Sequence, residues 1–165
     1  MARKVFFSFH YNPDNWRASQ VRQMGALEGN SPCSDNDWES VTKGGDAAIK
    51  KWIDGQLSGR SCAIVLVGSA TAGRKWINYE IEKAWNDGKG VVGIHIHRLK
   101  NLAGEQAAKG NNPFSGFTVG QNKTPLSSIV KLYDQPYSDS KLAYGHIKDN
   151  IADWIEEAVA IRNKY

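Results

Sequence analysis

Sulfur, unbroken apolar stretches and phosphate-binding signatures are what this chain lacks. Two cysteines in 165 residues, Cys33 in a polar stretch and Cys62 at the head of an apolar one, have neither metal-ligand spacing nor the density of a disulfide scaffold. Cys62 is expected as a buried, reduced thiol. No segment approaches the roughly 18 consecutive apolar residues needed to cross a bilayer, and the opening "MARKVFFSFHYNPDN" has an apolar run too short for a secretory signal. A cytoplasmic protein with no membrane partner is expected. The formal charge of +4 favours anionic partners. Lysine and arginine are spread as pairs (Arg3-Lys4, Lys50-Lys51, Arg74-Lys75) without a basic arm, so nucleic acid is not the expected partner.

What is present reads as globular, with 41% hydrophobic and 23% charged residues in a length suited to one domain spanning 1–165. "RKVFFSF" (Arg3 to Phe9), "SCAIVLVG" (Ser61 to Gly68) and "VVGIHIH" (Val91 to His97) are short β-branched and aromatic runs, the pattern of strands buried on both faces. Helical spacing lies between them. Asp14 is placed to cap a helix from Asn15 to about Leu27 whose core side would hold Trp16, Val21, Met24 and Leu27. Ile49, Trp52, Ile53 and Leu57 form a second stripe, and Ile77, Ile81, Ala84 and Trp85 a third. Residues 98–128 are a long Gly-, Asn- and Pro-rich loop, either functional or unstructured. "IVKLY" (Ile129 to Tyr133) reads as an edge strand. An amphipathic helix through Ile147, Ile151, Trp154, Ile155 and Val159 closes the chain. Alternating strands and helices predict a mainly parallel α/β sheet covered on both sides, with ligands bound beyond the carboxyl ends of the strands. Those ends carry Ser8, Phe9 and His10, then Gly68 and Ser69.

The turn "GSATAGRKW" has two glycines at the spacing of a phosphate loop, but Arg74 and Lys75 stand where lysine and a magnesium-binding hydroxyl are needed. The strand ends carry no phosphoacceptor carboxylate, and the dinucleotide fingerprint G-x-G-x-x-G is absent. Trp76 and Glu80 are four apart and share a helix face. From spacing alone the pair also reads as a boundary tryptophan beside an exposed glutamate partnered by Lys83 or Lys75. His95 and His97, two apart on a strand, would point to one face, but no third ligand stands nearby and no metal is expected.

The stretch from Ser69 and Thr71 to Trp76 and Glu80 resembles the signature of TIR domains, a strand-turn-helix with hydroxyl residues ending in W-x-x-x-E. "KVFFSFHY" resembles their first motif, an apolar strand ending in a serine, here Ser8. Taken together, "VFFSFHY", "IVLVGSATAGRKWINYEI", "GKGVVGIHIHRLKN" and "KGNNPF" are similar to the TIR subunits of bacterial Thoeris antiphage defence. The resemblance implies a flavodoxin-like three-layer fold and cleavage of the nicotinamide–ribose bond of NAD, which is substrate and not cofactor. It implies Glu80 as the catalytic carboxylate. Ser8, Phe9, His10, Ser69, Arg74 and Trp76 would then line the substrate site, joined by Trp38 from the loop after the first helix and Asn112 from the long loop. It further implies a cyclic ADP-ribose isomer or related conjugate as a signal to a separate effector protein, a phage-derived trigger, and self-association. Two other readings share the fold: plain NAD hydrolysis that depletes the cell, and a non-catalytic interaction module.

Overall fold

The computed structural model describes residues 4–24 and 41–165; Leu27, Cys33 and Trp38 lie outside them. Strand β1 (Val5–Ser8) leads into helix α1 (Tyr11–Arg22), and α2 (Gly45–Leu57) precedes β2 (Cys62–Val67). Helix α3 (Lys75–Asn86), β3 (Gly90–His95), the short strands β4 (Thr118–Val119) and β5 (Thr124–Pro125), β6 (Leu132–Tyr133) and α4 (Ser140–Arg162) follow. Four strands form one parallel sheet in the order β1-β2-β3-β6. The predicted edge strand is there, shortened to two residues.

The unbroken apolar runs of β1 and β2 are explained by the two cores they separate. Val5, Phe7, Ile64 and Leu66 face α1 and α4. Phe6, Ala63, Val65 and Val67 face α2 and α3. Each successive residue changes face, so a strand covered on both sides must be apolar throughout. The chain is accordingly α/β, with helices on both faces of a parallel sheet. Cys62 is buried and, among the described residues, in no disulfide. No helix among the described residues is long and apolar enough to cross a membrane.

Three expectations need correction. Helix α1 begins at Tyr11, with His10 as its N-cap, and Asp14 lies inside it. Pro13 sits in the first turn, where its missing N–H costs nothing, so the helix starts a turn early and Asp14 is free to point inward. Trp16, expected in the core, is 47% exposed, while Trp52 is half-buried. The 98–128 segment is neither structureless nor purely superficial. It carries the antiparallel β4–β5 pair, and its Phe114 is fully buried against Gly93, where a Cβ would come within 2.9 Å of the Phe114 ring. His97 lies beyond the end of β3.

Candidate active site

Ser8 ends β1 with its side chain on the α3 face of the sheet, and its hydroxyl donates to the Glu80 carboxylate. Glu80 lies one turn beyond Trp76 and Ile77, packed inward with Ile77, Ile81 and Ala84 on the buried side of α3. It is 6% exposed. Burial disfavours the ionised form and pushes its carboxyl up to about 8, the Ser8 hydrogen bond opposing this only in part. The boundary reading, an exposed glutamate paired with lysine, is therefore replaced by a buried one held by a hydroxyl.

Next to this pair a cleft of about 530 Å³ opens between the β1–α1 junction and the β2–α3 turn, with Phe9, His10, Arg74, Trp76 and Ile77 among its walls. Phe9 stacks on Tyr11 at 6.0 Å between ring centroids. Trp76 meets the Tyr79 ring edge-on at 5.9 Å and carries the Lys75 ammonium over its face at 4.9 Å. Arg74, the exposed N-cap of α3, brings positive charge to the rim. Burial, then Arg74, lower the pKa of His10, with Asp14 opposing.

The structure thus gathers Phe9, His10, Arg74 and Trp76 around one cleft, with the Ser8–Glu80 pair buried behind the wall. Ser69 is exposed on the turn and is not on that wall. Asn112 is not on it either; its side-chain oxygen accepts from the Phe114 N–H at 2.8 Å, which shapes the long loop. Trp38 lies outside the described residues.

The glycine turn is closed from within. Thr71, fully buried, accepts the Gly68 N–H at 2.8 Å. A Cβ on Gly68 would fall 2.1 Å from Asp14 Oδ2, and one on Gly110 would fall 2.0 Å from the Gly68 carbonyl oxygen. A carboxylate over the first glycine and a hydroxyl on its N–H leave no cradle there for phosphate. Gly110→Ala should lower stability by about 1–3 kcal/mol through overpacking against rigid backbone. Gly116→Ala, where a Cβ meets nothing within 4 Å, is the control. Urea midpoints compare them, and equal midpoints would mean the long loop does not rest on the β2–α3 turn.

Sequence reasoning missed the Asp14–Arg17 pair. Arg17 Nη1 bonds Asp14 Oδ1 at 3.0 Å, Nε donates to the Leu99 carbonyl at 2.8 Å and Nη2 to the Glu105 carbonyl at 2.8 Å, so a buried side chain of α1 clamps the chain leaving β3. The signal was present. Asp14, Arg17, Val21 and Met24 recur at helical spacing, which puts the two charges on the apolar face. His95 and His97 are buried with rings perpendicular at 5.5 Å. Burial draws His95 down to about 4. Among the described residues no three His, Cys, Asp or Glu side chains are grouped to hold a metal.

A parallel sheet with a W-x-x-x-E helix following β2, its glutamate held against the end of β1, defines a TIR-like α/β protein. The chain belongs to the family described as Thoeris protein ThsB, TIR-like domain, whose model matches residues 6–101. It is 39% identical over 119 residues to a protein of Bacillus cereus (strain MSX-D12) named "Putative cyclic ADP-D-ribose synthase ThsB1". The match covers 69% of this chain and 62% of that protein, so it spans less than two thirds of the relative's length.

Proposed function

We propose that this protein cleaves NAD between nicotinamide and ribose and turns the ADP-ribosyl part into a cyclic ADP-ribose isomer or related conjugate, a signal to a separate effector in antiphage defence. A phage-derived trigger and self-association belong to the same reading. Family membership and the relative's name support the reaction class. The observation that carries it is the buried carboxylate of Glu80, held by Ser8 behind an aromatic and cationic cleft.

One carboxylate suffices for this chemistry. Nicotinamide leaves a cationic ring as a neutral base, so no general acid is needed, unlike ordinary glycoside hydrolysis with its two carboxyl groups. What needs stabilising is the oxocarbenium-like ribosyl group, and a fixed carboxylate in a site shielded from water does that electrostatically. Phe9 and Trp76 offer faces to the rings of the dinucleotide, and Arg74 offers charge to its phosphates. In this role Glu80 gives up the Ser8 hydrogen bond and turns to the ribose, since the carboxylate is not among the groups that line the cleft.

Glu80 works only when ionised. With its carboxyl pushed up to about 8, kcat/KM for nicotinamide release should climb about tenfold per pH unit below pH 8 and level above it. A rate flat from pH 6 to 9 would remove Glu80 from the free enzyme's essential groups. The reaction itself is tested by mass spectrometry of concentrated protein incubated with NAD. Nicotinamide plus a cyclic or conjugated product is expected, linear ADP-ribose alone would reduce the activity to hydrolysis, and intact NAD, also in extracts of infected cells, would leave an interaction module.

A further inference from the structure

NAD cleavage with capture of the ribosyl group by a hydroxyl releases one proton. On the reading above, the Glu80 carboxylate faces the ribosyl cation while the C1′–N bond breaks, which leaves a place for a second group to take the proton from the attacking oxygen. We propose that His10 is that proton acceptor and that Asp14 fixes its tautomer, an inference that rests on the NAD-cleavage reading and adds a catalytic residue to it.

Two orphaned atoms point to the pair. His10 caps α1 and its ring lines the cleft, yet its Nδ1 is buried without a hydrogen-bond partner. Asp14, one turn along the same helix and 1% exposed, gives Oδ1 to Arg17 at 3.0 Å and leaves Oδ2 buried and also without a partner. The two side chains interact electrostatically. Buried polar atoms in folded proteins are nearly always paired, and residues four apart at a helix start are neighbours. A side-chain rotation that brought Nδ1–H to Oδ2 would satisfy both atoms at once and leave Nε2 with its lone pair free for the cleft.

The step balances. As the C1′–N bond breaks, its electron pair goes to the nicotinamide nitrogen and cancels the ring's positive charge. The attacking oxygen, from water or from a hydroxyl of the substrate itself, forms the new bond to C1′. Its proton passes to His10 Nε2, and the imidazolium faces the Asp14 carboxylate until the proton leaves to solvent. Before reaction, burial and Arg74 lower the pKa of the imidazole against the opposing pull of Asp14, which favours the neutral form that an acceptor needs.

Two measurements test this. In ¹⁵N spectra of the histidine-labelled full chain at neutral pH, His10 should carry its proton on Nδ1, and Asp14→Asn should shift it toward Nε2. His10→Gln should lower kcat by about 10²-fold, the low end of general-base contributions, while KM stays within about threefold. An Nε2–H tautomer in the unmodified protein overturns the proposal, and that spectrum needs no variant to fold. So does a His10→Gln enzyme with unchanged kcat, or one whose defect lies in KM alone. If the unmodified protein releases no nicotinamide, the NAD reading fails while the tautomer still decides the dyad.

Discussion

Glu80→Gln should reduce nicotinamide release by at least ~10²–10³-fold, the usual consequence of deleting an electrostatic group aimed at the transition state, and should raise the melting temperature in alkaline solution. Glutamine has the shape of the carboxyl group and its side-chain oxygen can still accept from the Ser8 hydroxyl, so the buried site stays filled. It cannot ionise. The carboxyl titrates near 4.5 in the unfolded chain and near 8 in the folded one. Between those values the folded protein holds a proton that the unfolded chain has lost, so stability falls as pH rises from 4.5 through 8. Above 8 the native state bears the whole cost of a buried anion. The stabilisation from Glu80→Gln should therefore be negligible near pH 4, grow through neutrality and reach roughly 10 °C or more by pH 9, the linkage of a carboxyl moved from 4.5 to about 8 being on the order of 4–5 kcal/mol. Scanning calorimetry from pH 4 to 9 on both proteins reads the sign directly. Loss of turnover with a gain of stability is the pattern of a residue kept for chemistry at the expense of the fold. A melting temperature that drops at pH 9 would show instead that the Glu80 carboxylate holds the structure together.

Arg17→Met should be the most destabilising exchange on α1, by about 3–5 kcal/mol, the range found when one partner of a buried ion pair is removed. Several losses coincide, the bond from Nη1 to the Pro13 carbonyl among them. Asp14 keeps a buried carboxylate with neither oxygen paired, and the Leu99 and Glu105 carbonyls lose their guanidinium donors. Methionine fills much of the volume but supplies no donor. Lysine should not rescue, since a single ammonium cannot span acceptors that a planar five-donor fork reaches together. The damage should be local before it is global. Amide exchange at residues 99–107 should accelerate well before that of the sheet, because the Arg17 clamp ties this stretch to α1. Denaturation and exchange in Arg17→Met that match the unmodified protein would mean that Gly110 and Phe114 anchor the loop without the clamp.

The alternation of strands and helices was legible because buried strands must be apolar on both faces and a covering helix must be apolar on one. "CAIVLV" and the Ile77, Ile81, Trp85 stripe announce themselves through local patterning, with no knowledge of what they pack against. The strand ends placed Phe9 and His10 at the cleft, but by the same reasoning also Ser69, which is not on its wall; Arg74 and Trp76 entered through the resemblance. The resemblance to the TIR signature, and not spacing alone, pointed to Glu80 as the catalytic carboxylate and to Ser8 as a lining residue; their pairing appears only in the structure. Local spacing also misled, since Asp14 has the position of a helix cap and serves as an inward partner.

The sequence by itself determined the layered parallel architecture, because hydrophobic periodicity is a local property and dominates the energetics of burial. Only the tertiary structure decided how each polar group is used. Ser8 and Glu80 are 72 residues apart, and Arg17 reaches carbonyls 82 and 88 residues away. Whether a carboxylate is exposed or buried, ionised or proton-bearing depends on such distant partners and on the water they exclude, and no local pattern of residue types carries that information.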